Sequence, residues 1–175
     1  MIARPQTDEY YEYYGGYVRH VPEGADVFAL LQTQADALKS LLANVSDEQA
    51  STRPAPGEWS IKEVVGHMCD TERILSYRAL RIGRGDTTPL AGFEQDDFVT
   101  GTDFSVRTLA DLIEEFEMAR RANYLCFRAF TPAEIDRRGT ASNYPFSVRA
   151  LLYILVGHVN HHVNSLKTDY HVGAS

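Results

Sequence analysis

Residues 147–167 read SVRALLYILVGHVNHHVNSLK. Ser147 can cap a helix N-terminus, and Leu151, Leu155, Val159, Val163 and Leu166 recur at three- and four-residue steps, the period of an amphipathic helix rather than a strand. Three histidines fall within that pattern. On a helix, His158 and His162 stand one turn apart, about 6 Å along the axis and about 40° around it, whereas His161 falls about 60° to the other side of His158. Leu151 and Leu155 lie seven and three residues before His158, so the His158/His162 side faces the core and His161 lies nearer its edge. A buried imidazole needs partners for its ring nitrogens, so two of them one turn apart either bind a metal ion or sit in a polar network.

The second informative stretch is Trp59-Ser60-Ile61-Lys62-Glu63. Ser60 followed three residues later by Glu63 is a capping box, with Trp59 placed to pack on the first turn. The helix it opens runs to about Ile82, where Gly83 and Gly85 stop it. His67 falls on this helix, three residues after Val64 and seven before Ile74, and so also faces inward, either as a third imidazole for an ion or as a satisfied core histidine. Three neutral imidazoles from two helices would leave open positions on the ion, which is how a catalytic rather than a structural site is built. A zinc-protease reading fails because Val159 stands where that motif needs Glu. There is no GxSxG, P-loop or GxGxxG, nor a cysteine pair at zinc-finger spacing. Arg78 is eleven residues after His67, three turns on and about 20° round, and Arg81 follows three later. A buried arginine calls for an anion: Asp96 or Asp97 of the following loop, or an anionic substrate. Arg78 and Arg81 are therefore candidate substrate-binding residues.

Two further helices complete the pattern. One spans about 25–45, with Val27, Leu30, Leu31, Leu38, Leu41, Leu42 and Val45 apolar; the other spans about 105–130, with Leu109, Leu112, Ile113, Phe116, Tyr124, Leu125 and Phe127. Thr131-Pro132-Ala133-Glu134 caps a short extra turn that Gly139 ends. Nothing alternates at period two for long enough to demand a sheet. The expectation is an all-α fold, a four-helix bundle with long irregular connections that argue against simple up-down-up-down order, in one domain over 1–175. Residues 1–23, which hold Tyr10, Tyr11, Tyr13, Tyr14 and Tyr17, read as an extended arm ending in Gly15-Gly16 and Pro22. The polar connection 84–103 is long enough to suggest a functional loop.

Composition narrows the function. Seventeen basic against 24 acidic residues give −7, and protonating all six histidines brings the charge only to −1, a poor match to nucleic acid. The longest apolar run, Leu151–Val156, is far short of the ~20 residues of a membrane span. The opening MIARPQTDEYYEYY lacks the apolar region of a secretory signal, so a cytoplasmic protein is expected. Cys69 and Cys126 lie within helical stretches and read as small buried hydrophobes.

Taken together, Pro56-Gly57-Glu58-Trp59-Ser60 through Gly66-His67, continued by Asp70-Thr71-Glu72-Arg73, resemble the helix-two signature of the DinB-like superfamily, and Ser147-Val148-Arg149-Ala150-Leu151 through Gly157-His158 and His161-His162 resemble its last helix. Thr88-Pro89-Leu90, Phe93-Glu94-Gln95-Asp96 and the tyrosine-rich arm fit as well, so the resemblance covers nearly the whole chain. It implies a bundle of unusual connectivity and a divalent metal held by His67, His158 and His162. Val159 departs from the acidic residue that many relatives carry there, which leaves a possible supporting or acid/base role unfilled. The resemblance also implies thiol-dependent transfer or isomerisation as one family activity, and a homodimer as a common assembly. Two functions follow as expectations. One is a metal-dependent transferase that joins a low-molecular-weight thiol to a small electrophile, with zinc, nickel or iron as the ion. The other is a non-enzymatic bundle that binds a metal or small ligand. Both imply a small-molecule partner, with neither nucleic acid nor membrane involved.

Overall fold

Ser60 and Glu63 form the capping box that the sequence predicts. The Ser60 hydroxyl accepts from the Glu63 backbone N–H at 3.2 Å, while the Ser60 N–H donates to the Glu63 carboxylate at 2.7 Å. In the computed structural model, which describes residues 2–173, the elements in chain order are α1 (Gly15–Arg19), α2 (Val27–Leu42), α3 (Asp47–Ser51), α4 (Ile61–Gly83), α5 (Gln95–Thr100), α6 (Leu109–Phe127), α7 (Pro132–Ile135), β1 (Arg138–Ala141), β2 (Tyr144–Ser147) and α8 (Val148–Thr168). The four long helices are those expected from the apolar periodicity, and Asp26, Ser60, Thr108 and Ser147 cap them.

The four long helices form a bundle with a crossed connectivity. Helix α4 packs on α6 and α8, and α2 packs on the same two. Helices α2 and α4 therefore face each other across the bundle although they are consecutive long helices. A simple up-down-up-down order would make them neighbours. The core fills from two buried clusters, one around Leu31, Phe127, Phe146 and Leu151–Val156, the other around Leu38, Val65, Met68, Phe116 and Val159.

Three local expectations need correction. The tyrosine-rich segment is not extended: it folds as 3₁₀ turns at 7–9 and 12–14 and then α1, which contains Gly15 and Gly16. What holds it is Glu9, only 1% exposed, whose carboxylate accepts from Ser147 Oγ at 2.6 Å and from Arg149 at 2.9–3.1 Å, at the start of α8. The 84–103 connection is not all loop, because α5 lies inside it and Leu90 bonds to the edge of β1. Finally, 138–147 is an antiparallel hairpin: Gly139, expected to end the short helix, lies in β1, while Ser147 ends β2 and caps α8 as expected. Each strand has four residues, too short to show alternation, and Ser142 and Asn143 turn the chain at φ 52° and 66°, as a primed two-residue hairpin turn requires.

A buried polar network ties the long helices together. Glu72 of α4 and Arg120 of α6 are 2.7 Å apart and almost wholly buried. Arg120 also donates to Gln34 Oε1 on α2 at 2.9 Å and to the Leu155 carbonyl on α8 at 3.4 Å. Gln34 in turn donates to the Val156 carbonyl at 2.9 Å and to Asn160 at 2.7 Å, and Asn123 donates to Glu72 at 2.8 Å. Removing one partner of a buried pair strands the other charge, which costs about 3–5 kcal/mol. Arg120→Met is therefore expected to lower unfolding free energy by about that amount in urea titrations. The double variant Glu72→Leu/Arg120→Met should lose much less than the two single losses added together; additive losses would mean that the pair is not coupled.

Candidate metal centre

The site forms where α4 and α8 meet. His67 comes from the second turn of α4, His158 and His162 from successive turns of α8. The Nε2 atoms of His67 and His158 are 2.9 Å apart, and those of His162 and His158 are 3.0 Å apart. The three residues offer ligand atoms that all lie within 4.8 Å of one another, the one such grouping among the described residues. A tetrahedral ion with bonds of about 2.0–2.1 Å separates its nitrogens by about 3.3 Å. Those two spacings need to open by only a few tenths of an ångström to fit one. The donor set suits the same ions: three imidazoles accept zinc, nickel or iron.

Backbone geometry brings the rings together. Each histidine that opens the constellation follows a glycine, and each glycine is in close contact. A Cβ on Gly157 would lie 1.9 Å from the Tyr17 carbonyl oxygen, and one on Gly66 would lie 2.2 Å from the Phe104 ring. The first contact seats α1 against α8 and sets the Tyr17 ring edge-on to His158, with centroids 5.2 Å apart. Trp59 lies 5.0 Å from His67, and His161 lies 4.9 Å from His162. These rings wall the triad, leaving His67, His158 and His162 at 3, 4 and 8% exposure.

Burial keeps the three imidazoles neutral. It lowers His67 to about 4, helped by His161. Burial also takes His158 and His162 well below the ordinary histidine range, reinforced for both by His67 and His161 and, for His158, by His162 and Arg120. His161, as its helical phase predicts, is only half-buried and stacks toward His20 instead. Cys69 is turned away from the site: its thiol donates to the Leu112 carbonyl of α6 at 3.5 Å, and burial pushes it up to about 12. Cys126, expected to be buried, is half-exposed.

The two arginines do not join the triad. Arg78 is fully buried, as its phase predicts, yet neither Asp96 nor Asp97 is its partner. Those two lie exposed in the first turn of α5, where the helix dipole suits them. Arg78 instead donates through Nη2 to the Ala91 carbonyl at 2.8 Å and Ser142 Oγ at 3.0 Å. Arg81 is paired with Asp86 and also donates to Tyr77. Sequence reasoning missed Glu72, Arg120 and Gln34, which brace the helices beside the site. The available signal was their placement on otherwise apolar faces, Glu72 between Met68 and Leu75, and Arg120 between Phe116 and Phe127.

Three outcomes follow. Protein purified without chelator is expected to carry about one divalent ion per chain by elemental analysis. His67→Ala or His162→Ala should lose it and His161→Ala should keep it; the reverse pattern would overturn the ligand set. For the ion-free protein, the unfolded chain takes up protons near pH 6.5 while folded His67 resists until about 4. The unfolded state thus binds more protons in that window, and stability falls as pH drops through it, on the order of 3 kcal/mol from His67 alone. Urea midpoints at pH 7.5, 5.5 and 4.5 check this; a flat series would mean the rings are solvated. Gly157→Ala should push α1 off α8, lower the melting temperature and expose His158 to diethyl pyrocarbonate; unchanged labelling would show that the contact is dispensable.

The profile of the DinB superfamily matches residues 29–166, most of the chain. No curated protein matches it significantly. Among solved structures it is similar to YfiT from Bacillus subtilis, described as a probable metal-dependent hydrolase with an unusual four-helix bundle topology. The TM-score is 0.73 at 14% identity, covering 98% of this chain and 95% of that one. That likeness carries the fold, and its unusual topology agrees with the crossed order of α2 and α4. With the family profile running from α2 to the end of α8 and taking in all three clustered histidines, the chain belongs to the DinB superfamily.

Proposed function

We propose that His67, His158 and His162 hold one divalent ion, zinc, nickel or iron, and that the protein uses it to join a low-molecular-weight thiol to a small electrophile. The observation that carries this reading is the convergence of three neutral Nε2 atoms in a dry site. Held by His67, His158 and His162, a divalent ion would keep its full charge against three neutral ligands and would supply Lewis acidity, which favours the anionic form of a thiol or water at neutral pH.

The chain's own residues shape the rest. Burial leaves the imidazoles unprotonated, so their lone pairs are available at neutral pH. Tyr17 and Trp59 pack on the rings and exclude bulk water. The Cys69 thiol points at α6, and the triad contains no carboxylate, so the nucleophile comes from outside the protein. In the overall reaction the thiol releases its proton, a carbon–sulfur bond forms at the electrophilic carbon, and the leaving group departs with the bonding pair. The same reasoning admits water as the nucleophile. The description of YfiT as a probable metal-dependent hydrolase makes hydrolysis the second reading.

The test is turnover by ion-loaded protein of a small thiol with an aryl halide, run in parallel with hydrolysis of simple esters and amides. Thiol-dependent conjugation that drops at least a hundredfold in His158→Ala is the expected result. Hydrolysis without thiol consumption would favour the second reading. Ion binding with neither reaction would leave a binding bundle and overturn the enzyme reading.

A further inference from the structure

Two arginines are among the largest fully buried side chains, and they are treated differently. Arg120 has Glu72 as its counter-ion. Arg78, at 1% exposure, forms no ion pair among the described residues, and its Nη1 has no hydrogen-bond partner. Its Nη2 is satisfied by neutral acceptors, the Ala91 carbonyl and Ser142 Oγ, and the Tyr14 hydroxyl also lies against the guanidinium. The Phe93 ring lies 5.7 Å from the guanidinium carbon. A cation–π contact recovers only part of what a guanidinium loses on leaving water, so the charge is left without an internal anion.

Beside Arg78 runs a groove of about 430 Å³ between α4 and residues 88–91. Its walls include Arg73, Arg78 and Arg81 with Ile74, Pro89 and Leu90, and no carboxylate among the described residues lines it. Arg73 and Arg81 already have Glu115 and Asp86 as partners, which leaves Arg78 as the unpaired cation there. We propose that Arg78 anchors a binding site for a small apolar carboxylate, whose anionic end partners the guanidinium Nη1 while its hydrocarbon lies against Ile74, Pro89 and Leu90. Both Nη2 hydrogens are committed, so the carboxylate takes the unpartnered Nη1 in a charge-assisted hydrogen bond, and the apolar walls select an organic acid over an inorganic anion. Arg78 is about 16 Å from His67 along α4, and no histidine of the triad lines the groove. The site therefore stands whether or not the metal reading does.

Calorimetric titration of the full-length protein with hexanoate, 1-hexanol and inorganic phosphate tests it. Hexanoate is expected to bind saturably and to raise the melting temperature, phosphate to bind at least tenfold more weakly, and hexanol not to bind. Arg78→Met should weaken hexanoate binding at least tenfold and leave the melting temperature equal or higher, since it removes an uncompensated charge. As a second variant, Ile74→Glu puts a carboxylate one turn before Arg78 on a half-buried position of the groove. It should keep the fold and lose hexanoate binding. Absence of saturable hexanoate binding, or binding unchanged in either variant, would overturn the site. Tighter binding of phosphate than of hexanoate would overturn its ligand class.

Discussion

The pairing of Glu72 with Arg120 in the centre of the bundle is the constraint on which the rest of the structure depends. Neither charge has water to solvate it, so each must stay within hydrogen-bond reach of the other. That fixes α4 against α6. Because Arg120 also reaches Gln34 and the Leu155 carbonyl, and Gln34 reaches Val156 and Asn160, the same requirement fixes α2 and α8. Apolar packing alone tolerates sliding and rotation of helices, whereas a network of directional bonds with no solvent alternative does not. The crossed order, with α2 and α4 on opposite sides, is the arrangement in which one arginine on α6 can touch all three other helices.

The histidine cluster inherits its geometry from that frame. Its rings come from α4 and α8, whose relative depth is set by apolar layers and by the network one helical turn away. Asn160, between His158 and His161 in sequence, bonds to Gln34 and also donates to the His20 carbonyl at 2.9 Å. This ties the C-terminal end of α1 to the histidine-bearing turn of α8. Gly157 permits the contact from the other side. A tyrosine ring thus comes to rest edge-on to His158 through backbone packing rather than through any attraction specific to the imidazole.

The segments outside the bundle act as braces. Glu9 sits at the N-terminus of α8 with Ser147 and Arg149, where the helix dipole also favours a carboxylate. The Leu90 N–H donates to the Thr140 carbonyl and the Ser142 N–H to the Leu90 carbonyl, which clip the 84–103 connection to the hairpin edge. That clip brings Ala91 and Ser142 to Arg78 from two different segments. The buried arginine is therefore oriented by neutral groups, and it borders a groove that no acid among the described residues lines.

Helical periodicity, caps and the one-turn spacing of His158 and His162 are properties of nearest neighbours along the chain, and the sequence alone determined them: four long helices, their starts at Ser60 and Ser147, and the inward phase of His67, His158, His162 and Arg78. The tertiary structure alone decided what those inward residues meet. Glu72 and Arg120 are 48 positions apart, Glu9 and Arg149 140, and no local pattern encodes such pairings. The hairpin escaped because four-residue strands are too short to show a period, and its turn uses positive φ at Ser142 and Asn143 without glycine. The helical turns of the tyrosine-rich arm escaped because docking on α8 stabilises them against weak local propensity. Arg78 was placed on the correct face, but of the partners expected for it the loop acids Asp96 and Asp97 do not reach it. Phase follows from counting residues along one helix, whereas a partner follows from where a distant loop comes to rest.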